Sequence, residues 1–225
     1  MPRRSEFLTG MTLGTLTAAT SAAAAAPLTV DRRAMRAVLD RPARHKQVIS
    51  AVKIDFGAPL RYAGNSLNAF QFELGEGAGA LHPLVVFYGI ALFAMLDDAA
   101  WNKYDAFDLF TGAGDSLGGM IRGHNPFYHA RSTMNVHDSP DDERGFYHDF
   151  SVEALSRRGV SWFVCNNALH SLARDIARQS QADDGKIYDD LRAHFVPGVV
   201  LVPAGVAAIA LAQEARFTFL PGSAG

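Results

Sequence analysis

The sequence has very little cysteine: Cys165 is the single one among 225 residues. One thiol cannot form a disulfide within the chain, and it cannot build a cysteine-based zinc site by itself. An excess of charge of one sign is lacking too, because 21 Lys and Arg face 23 Asp and Glu, which leaves a net charge of -2. Without a clustered basic surface that could follow a phosphate backbone, we expect no nucleic-acid partner.

The chain also lacks a loop that is placed to hold a nucleotide. The glycine-rich stretch Gly75–Ala80 precedes an apolar segment of strand length. A phosphate-binding loop instead follows a strand and opens a helix, so that the helix N-terminus faces the phosphate. The stretch therefore fits a plain helix-to-strand connection, and the sequence predicts no bound cofactor.

Residues 1–26 have the composition of an export signal. Arg3 and Arg4 are followed by Phe7 and Leu8, and then by a weakly hydrophobic run of Ala, Thr, Gly and Leu. Paired arginines with modest hydrophobicity favour the twin-arginine (Tat) pathway. An uncut membrane anchor is the alternative, which the scarcity of Leu, Ile and Val disfavours. We therefore expect a periplasmic protein that meets the Tat translocase during export.

The remainder of the chain has the pattern of one α/β domain. Residues 27–44 are arginine-rich with little apolar pattern, which predicts a linker with one short helix. Beyond it, five apolar runs of strand length alternate with segments of helical period; the strand-length runs are 46–52, 82–88, 160–165, 199–203 and 217–220. Continuously apolar runs such as 84–88 require cover on both faces of a sheet. The sequence predicts a three-layer α/β/α domain over 45–225 with a mainly parallel five-stranded sheet, of flavodoxin-like appearance.

A long segment, 105–149, interrupts this alternation. It is rich in Gly, Asp, His, Asn and Pro, and loops of this length are usually functional, oligomer contacts or disordered. Several of its residues are of the types that bind zinc or copper: His124, His129, His137, His148, Asp138, Asp141 and Asp142. Their spacing fits no fixed template, so a metal site stays one alternative. Phe127 and Tyr128 predict at least one ordered anchor of this segment on the domain.

Cys165 has the strongest chemical signal of the sequence. It ends the apolar strand 160–165, and Asn166 and Asn167 are expected to cap the helix that follows. Ligands of open α/β sheets bind outside the carboxyl ends of the strands, and a helix N-terminus stabilises a thiolate. His170 adds to this if it faces the thiol. The alternative is that Cys165 is a small inert core residue.

The chain resembles the DsrE-like sulfur-relay family, in its exported branch with a Tat signal. The resemblance covers roughly residues 44–220. The segments that carry it are His45–Val48, Pro59–Ala69, Arg158–Leu169, and Pro197–Val206 followed by Ala212–Phe219. The most specific are Arg158–Leu169 and the closing segment that begins at Pro197. The resemblance implies a three-layer fold, frequent homo- or hetero-oligomers, and a cysteine that carries sulfane sulfur as a persulfide. Cys165 is the residue that would fill this role.

We therefore expect a protein that binds or passes sulfur on Cys165, with sulfur donor and acceptor proteins or small polysulfides as partners. Asn166, Asn167 and His170 would surround the anionic sulfur. Tyr88, at the end of the second strand, and Asn65, on the first helix of the domain, would form walls of the pocket. Two alternatives stay open: a non-catalytic oligomeric binding or assembly module, and metal binding by the histidines of 105–149.

Overall fold

A computed structural model describes residues 29–104, 123–131 and 145–222 of the chain. The predicted export signal, 1–26, lies outside these residues. Five strands form one sheet in the order β4-β3-β2-β1-β5, with every neighbouring pair parallel. Their bounds are β1 His45–Ala51, β2 Leu81–Phe87, β3 Ser161–Cys165, β4 Val199–Val202 and β5 Thr218–Pro221.

Seven α-helices connect and flank the strands within the described residues. They are α1 Arg32–Leu39, α2 Ala58–Asn68, α3 Asp98–Lys103, α4 Val152–Arg157, α5 Asn166–Ser180, α6 Asp184–Ala193 and α7 Gly205–Glu214. A five-residue π-helical turn, Ala69–Glu73, follows α2, and a 3-10 segment, Gly89–Met95, follows β2.

The helices form a layer on each face of the sheet. The larger hydrophobic core joins one face, represented by Ile49 and Trp162, to apolar residues of α2, α3, α4, α5 and α6. The smaller core joins the other face, represented by Val48 and Phe163, to residues of α1 and α7. Adjacent strand residues point to opposite faces, and both faces of β2 are buried, which is why the run from Leu84 to Phe87 is continuously apolar. The prediction of a three-layer α/β/α domain with a parallel five-stranded sheet is confirmed.

Residues 27–44, predicted as a linker with one short helix, contribute a packed helix to the domain. Asp31 caps α1 by accepting hydrogen bonds from the N–H groups of Arg33 and Ala34. Met35 and Leu39 of α1 are buried in the smaller core. The apolar residues of this segment are few, yet they fall on one side of a helix.

The anchor predicted in the segment 105–149 is confirmed at residues 123–131. Asn125 is buried, and its side-chain amide donates hydrogen bonds to the carbonyl oxygens of Ala94 and Leu96 at 2.9 and 2.6 Å. The ring of Phe127 packs on Trp101 with centroids 6.2 Å apart. Tyr128 packs against the larger core.

The order of the strands makes the connections diverge at one position of the carboxyl edge. Connections from β1 to β4 step in one direction across the sheet, whereas α7 returns over the other face to place β5 beside β1. The chain therefore turns toward opposite faces after β3 and after β4, which are neighbours. Such a divergence is where open α/β sheets bind ligands.

Candidate functional site

Cys165 lies at this divergence. It is the last residue of β3 and pairs in register with Val202, the last residue of β4. Trp162 to Val164 before it are at most 1% exposed, so the strand is fixed by the core up to the thiol. The first helical residue of α5 follows directly, without an intervening loop.

The thiol itself caps helix α5. Cys165 has an extended backbone, with φ -77° and ψ 117°, and its Sγ accepts a hydrogen bond from the N–H of Ala168 at 3.3 Å. The sequence predicts Asn166 and Asn167 as the cap, but these are the first two residues of the helix. The prediction was wrong because a sulfur atom is a rarer cap acceptor than an amide oxygen. The sulfur is thereby in direct contact with an amide donor of the helix N-terminus.

Cys165 is buried, at 6% exposure, without belonging to either hydrophobic core. Its surroundings at the edge are the end of β2, the end of β4 and the start of α7. Phe87 pairs with Val164, so the next position along the two strands sets Tyr88 beside Cys165. By the alternation of side chains, both residues point to the face that α7 covers.

Tyr88 and Gly205 are in close contact at this edge. Tyr88 is half-buried, and a Cβ atom at Gly205 would lie 3.1 Å from the Cβ of Tyr88. The glycine at the first position of α7 thus lets the tyrosine pack closely on the helix. The structure places Tyr88 at the edge where the sequence predicts it.

Asn166 and His170 are joined by a residue of α6. The hydroxyl group of Tyr188 donates a hydrogen bond to Oδ1 of Asn166 at 2.7 Å. The imidazole ring of His170 stacks on the phenol ring of Tyr188. Arg192 covers the same ring, with its Cζ 4.9 Å from the centroid. These contacts direct both predicted site residues toward α6.

The two remaining predicted residues are exposed. Asn167 is on the outer side of the first turn of α5. Asn65 is also exposed, and it is the eighth residue of α2, which begins near the carboxyl edge and runs toward the amino edge. At about 1.5 Å per residue, Asn65 lies roughly 10 Å along this helix. The structure does not bring Asn65 to the edge that holds Cys165.

The histidines of 105–149 are separated in the part of the chain that is described. His124 is exposed, and the ring nitrogens of His129 lie 3.1 Å from a carboxylate oxygen of Asp98 and 3.6 Å from one of Glu153. His148 lies in a 3-10 turn, Phe146–His148. Four of the predicted ligands lie outside the described residues: His137, Asp138, Asp141 and Asp142. Among the described residues, no group of three or more His, Cys, Asp or Glu could hold a metal ion.

Sequence reasoning missed Tyr188, the residue that organises this site. Its helix α6 carries three aspartates, a lysine and an arginine among ten residues, and its apolar pattern is short. The signal that was available is Asp183, which caps α6 through the N–H of Lys186 at 2.8 Å. An aspartate before a segment with Ile187 and Leu191 at helical spacing indicates a helix start.

Comparisons with known proteins assign no function to this domain. No family model matches the chain, and no curated protein matches it. Among solved structures, it is similar to MTH1491, a protein of unknown function from Methanobacterium thermoautotrophicum, at 15% identity and a TM-score of 0.36. The match covers 79% of this chain and 98% of that chain. Over the described residues, no helix is both long and apolar enough to cross a membrane.

Proposed function

We propose that this protein carries sulfane sulfur on Cys165 as a persulfide. The observation that carries the proposal is the position of the thiol: Sγ caps helix α5 at the divergence between β3 and β4. A helix N-terminus favours negative charge, and the persulfide is an anion that gains from amide donors. The resemblance of the sequence to the DsrE-like sulfur-relay family supports the same chemistry.

The transfer step needs only a thiolate and a sulfur donor. The thiolate of Cys165 attacks a sulfur atom of a polysulfide, a new S–S bond forms, and the S–S bond next to the attacked atom breaks. The shortened polysulfide leaves with the electron pair of that bond. Attack by an acceptor thiolate on the outer sulfur reverses the process and restores the Cys165 thiolate, so no external oxidant or reductant is consumed.

The burial of Cys165 restricts the donor. At 6% exposure Cys165 offers little of its surface to a donor, and its position at the end of β3 favours approach from the carboxyl edge. A persulfide extends the reactive atom outward by about 2 Å, the length of an S–S bond. We therefore propose that the sulfur donor is a small polysulfide or a protein with a protruding persulfide. The acceptor would need an equally accessible thiol.

The residues around the thiol would support this role differently. Asn166 is held by Tyr188 and fixes the first turn of α5, while the exposed Asn167 is free to meet an arriving partner. His170 is stacked on Tyr188 and stiffens the same turn. We further propose that the protein is exported to the periplasm through the Tat pathway, in keeping with the sequence of residues 1–26. We also propose that it forms a homo-oligomer there, in keeping with the family resemblance.

Intact mass spectrometry tests the proposal directly. Protein purified without reductant is incubated with sodium polysulfide beside the variant Cys165→Ser, which keeps an oxygen acceptor at the helix cap. We expect a gain of one sulfur atom in the wild type, its removal by dithiothreitol, and no gain in the variant. A wild-type mass that stays unchanged would refute the proposal.

The burial of Cys165 favours a second candidate, a non-catalytic binding or assembly module in which the thiol only packs and caps. This candidate predicts that iodoacetamide modifies Cys165 in the folded protein far more slowly than in urea-unfolded protein. It also predicts that Cys165→Ala retains the oligomeric state of the wild type. Sulfur loading at Cys165 in the folded protein would exclude it.

A further inference from the structure

A cavity lies at the amino edge of the sheet, opposite to the edge that holds Cys165. Its volume is about 410 Å³, and it is enclosed by the end of α2, the π-helical turn, the loop before β2 and the turn between α4 and β3. Apolar side chains form much of the wall: Leu67, Phe70, Leu81 and Phe146. Cavities of this size and composition are typical of sites for small organic molecules.

One charged group of this wall, Arg158, is short of hydrogen-bond partners. The Nε and Nη1 atoms of Arg158 are buried and have none, and Nη2 donates only a long bond of 3.4 Å to Oε1 of Gln71. The guanidinium lies over the ring of Phe146, with Cζ 4.7 Å from the centroid. Burial lowers the pKa of Arg158 to about 10, which leaves the group a cation at neutral pH.

This arrangement is costly for the protein alone. A buried cation is stabilised when an anion or several hydrogen-bond acceptors face it. An aromatic ring supplies only part of this stabilisation. The described residues of the wall include no aspartate or glutamate, while Arg157 adds a second cation at an exposed position. The cavity therefore combines apolar walls with positive charge that no described carboxylate of the wall compensates.

We propose that this cavity binds a small organic carboxylate with an apolar body. The carboxylate supplies the acceptors that the Arg158 guanidinium lacks, and charge-assisted pairs of this kind are the stronger hydrogen bonds in proteins. The aliphatic or aromatic body fills the space between Leu67, Phe70 and Leu81. Both parts are required, because a bare anion would leave the apolar wall in contact with water.

Sodium octanoate is a suitable probe, with 1-octanol as its uncharged analogue. Binding is measured by isothermal titration calorimetry and by the rise in Tm with ligand concentration. We expect octanoate to bind the full chain and raise its Tm. We expect 1-octanol to bind at least about tenfold more weakly, since a charge-assisted pair corresponds to at least about one decade in Kd.

Two variants assign the binding to this cavity. Arg158→Met keeps an unbranched side-chain stem and removes the charge, so we expect octanoate to lose about tenfold or more in affinity, to the level of 1-octanol. Ala78→Phe, in the exposed loop of the wall, fills the cavity without touching the charge and should also weaken binding. If Arg158→Met does not fold, Ala78→Phe still tests whether octanoate binds in this cavity.

The outcomes separate this proposal from the sulfur chemistry of Cys165. Cys165→Ser, at the other edge of the sheet, should bind octanoate as the wild type does. Failure of octanoate to bind the wild type, or equal affinity for the wild type and both variants, would overturn the proposal. Neither result would bear on sulfur loading, which is read from the intact mass of the wild type beside Cys165→Ser.

Discussion

The imidazole ring of His170 lies flat on the phenol ring of Tyr188, with centroids 4.0 Å apart and planes 6° apart. Tyr188 also donates its hydroxyl hydrogen bond to Asn166. One residue of α6 therefore holds two positions of the first turns of α5, the helix whose N-terminus meets the sulfur of Cys165. The rigidity of the candidate site depends on the packing of these two helices.

Removal of the Tyr188 hydroxyl should loosen this turn. We expect Tyr188→Phe to lower the free energy of unfolding by about 1 kcal/mol, because Asn166 loses one hydrogen bond while the stacked ring is kept. Urea unfolding followed by circular dichroism measures the change. Tyr62→Phe, at an exposed tyrosine of α2, is the matched control and should be neutral. If the Tyr188 and Tyr62 variants are equally stable, the hydrogen bond contributes nothing.

The cap of α5 predicts different effects of two substitutions at Cys165. Serine keeps an acceptor for the N–H of Ala168, whereas alanine removes it. We therefore expect Cys165→Ala to be less stable than Cys165→Ser by about 1 kcal/mol, the usual contribution of an N-cap side chain. Urea midpoints of the two variants decide this. Equal midpoints would show that the thiol is only a packing residue.

His82 predicts a loss of stability in acid. It is fully buried on β2, with Nε2 3.0 Å from Oγ of Ser161, and burial, assisted by Arg41 and Lys46, lowers its pKa from 6.5 to about 3. Between these values the unfolded chain binds a proton that the folded chain does not. The stability that comes from keeping His82 neutral is therefore complete above pH 6.5. Below this value, the free energy of unfolding falls by roughly 1.4 kcal/mol per pH unit as the pH drops toward 3.

The variant His82→Phe isolates this effect. It keeps a ring beside Phe217, which His82 contacts with centroids 5.2 Å apart, and it has no proton to bind. Urea unfolding at several values between pH 6.5 and 4 should give a smaller pH dependence for His82→Phe than for the wild type. His124→Phe, at an exposed position, should retain the wild-type dependence. The same slope for both variants would contradict the prediction.

Gly64 predicts an exception to helix propensity. It lies inside α2, where alanine normally stabilises by about 0.5–1 kcal/mol, but a Cβ there would lie 2.6 Å from Cε1 of Phe150. We expect Gly64→Ala to destabilise by about 1–3 kcal/mol, since the ring must move out of its packing. Thermal unfolding beside Asn65→Ala, on the exposed side of the helix, tests this. A stabilised Gly64→Ala would show that the ring moves freely.

The sheet could be predicted from the sequence because its central strands, β2 and β3, are buried on both faces. Each predicted strand overlaps an observed one, and the continuous apolar run 84–88 lies almost wholly within β2. The position of Cys165 at a strand end was equally predictable, since an apolar strand and a helix meet there without a loop. These features depend on neighbours along the chain.

The remaining features depend on contacts between distant residues. The capping role of the thiol follows from the backbone angles of Cys165, and the link from Asn166 to Tyr188 requires α6 to pack beside α5. The sequence predicts that the helix of Asn65 passes near the carboxyl edge, but α2 runs away from that edge and carries the residue toward the amino edge. Arg158 reads as an ordinary surface arginine in the sequence, and only the packed structure buries two of its nitrogen atoms without partners.

The strand order has a consequence for how the chain folds. Strands β1, β2 and β3 each pair with the next strand along the chain, so this part of the sheet can grow by the addition of successive strands. The pairing of Gln47 with Thr218 joins the first strand to the last. That step closes the longest loop of the domain and has the largest entropic cost. We therefore expect β5 to form late, and the face of the sheet that α7 covers to be the last to become dry during folding.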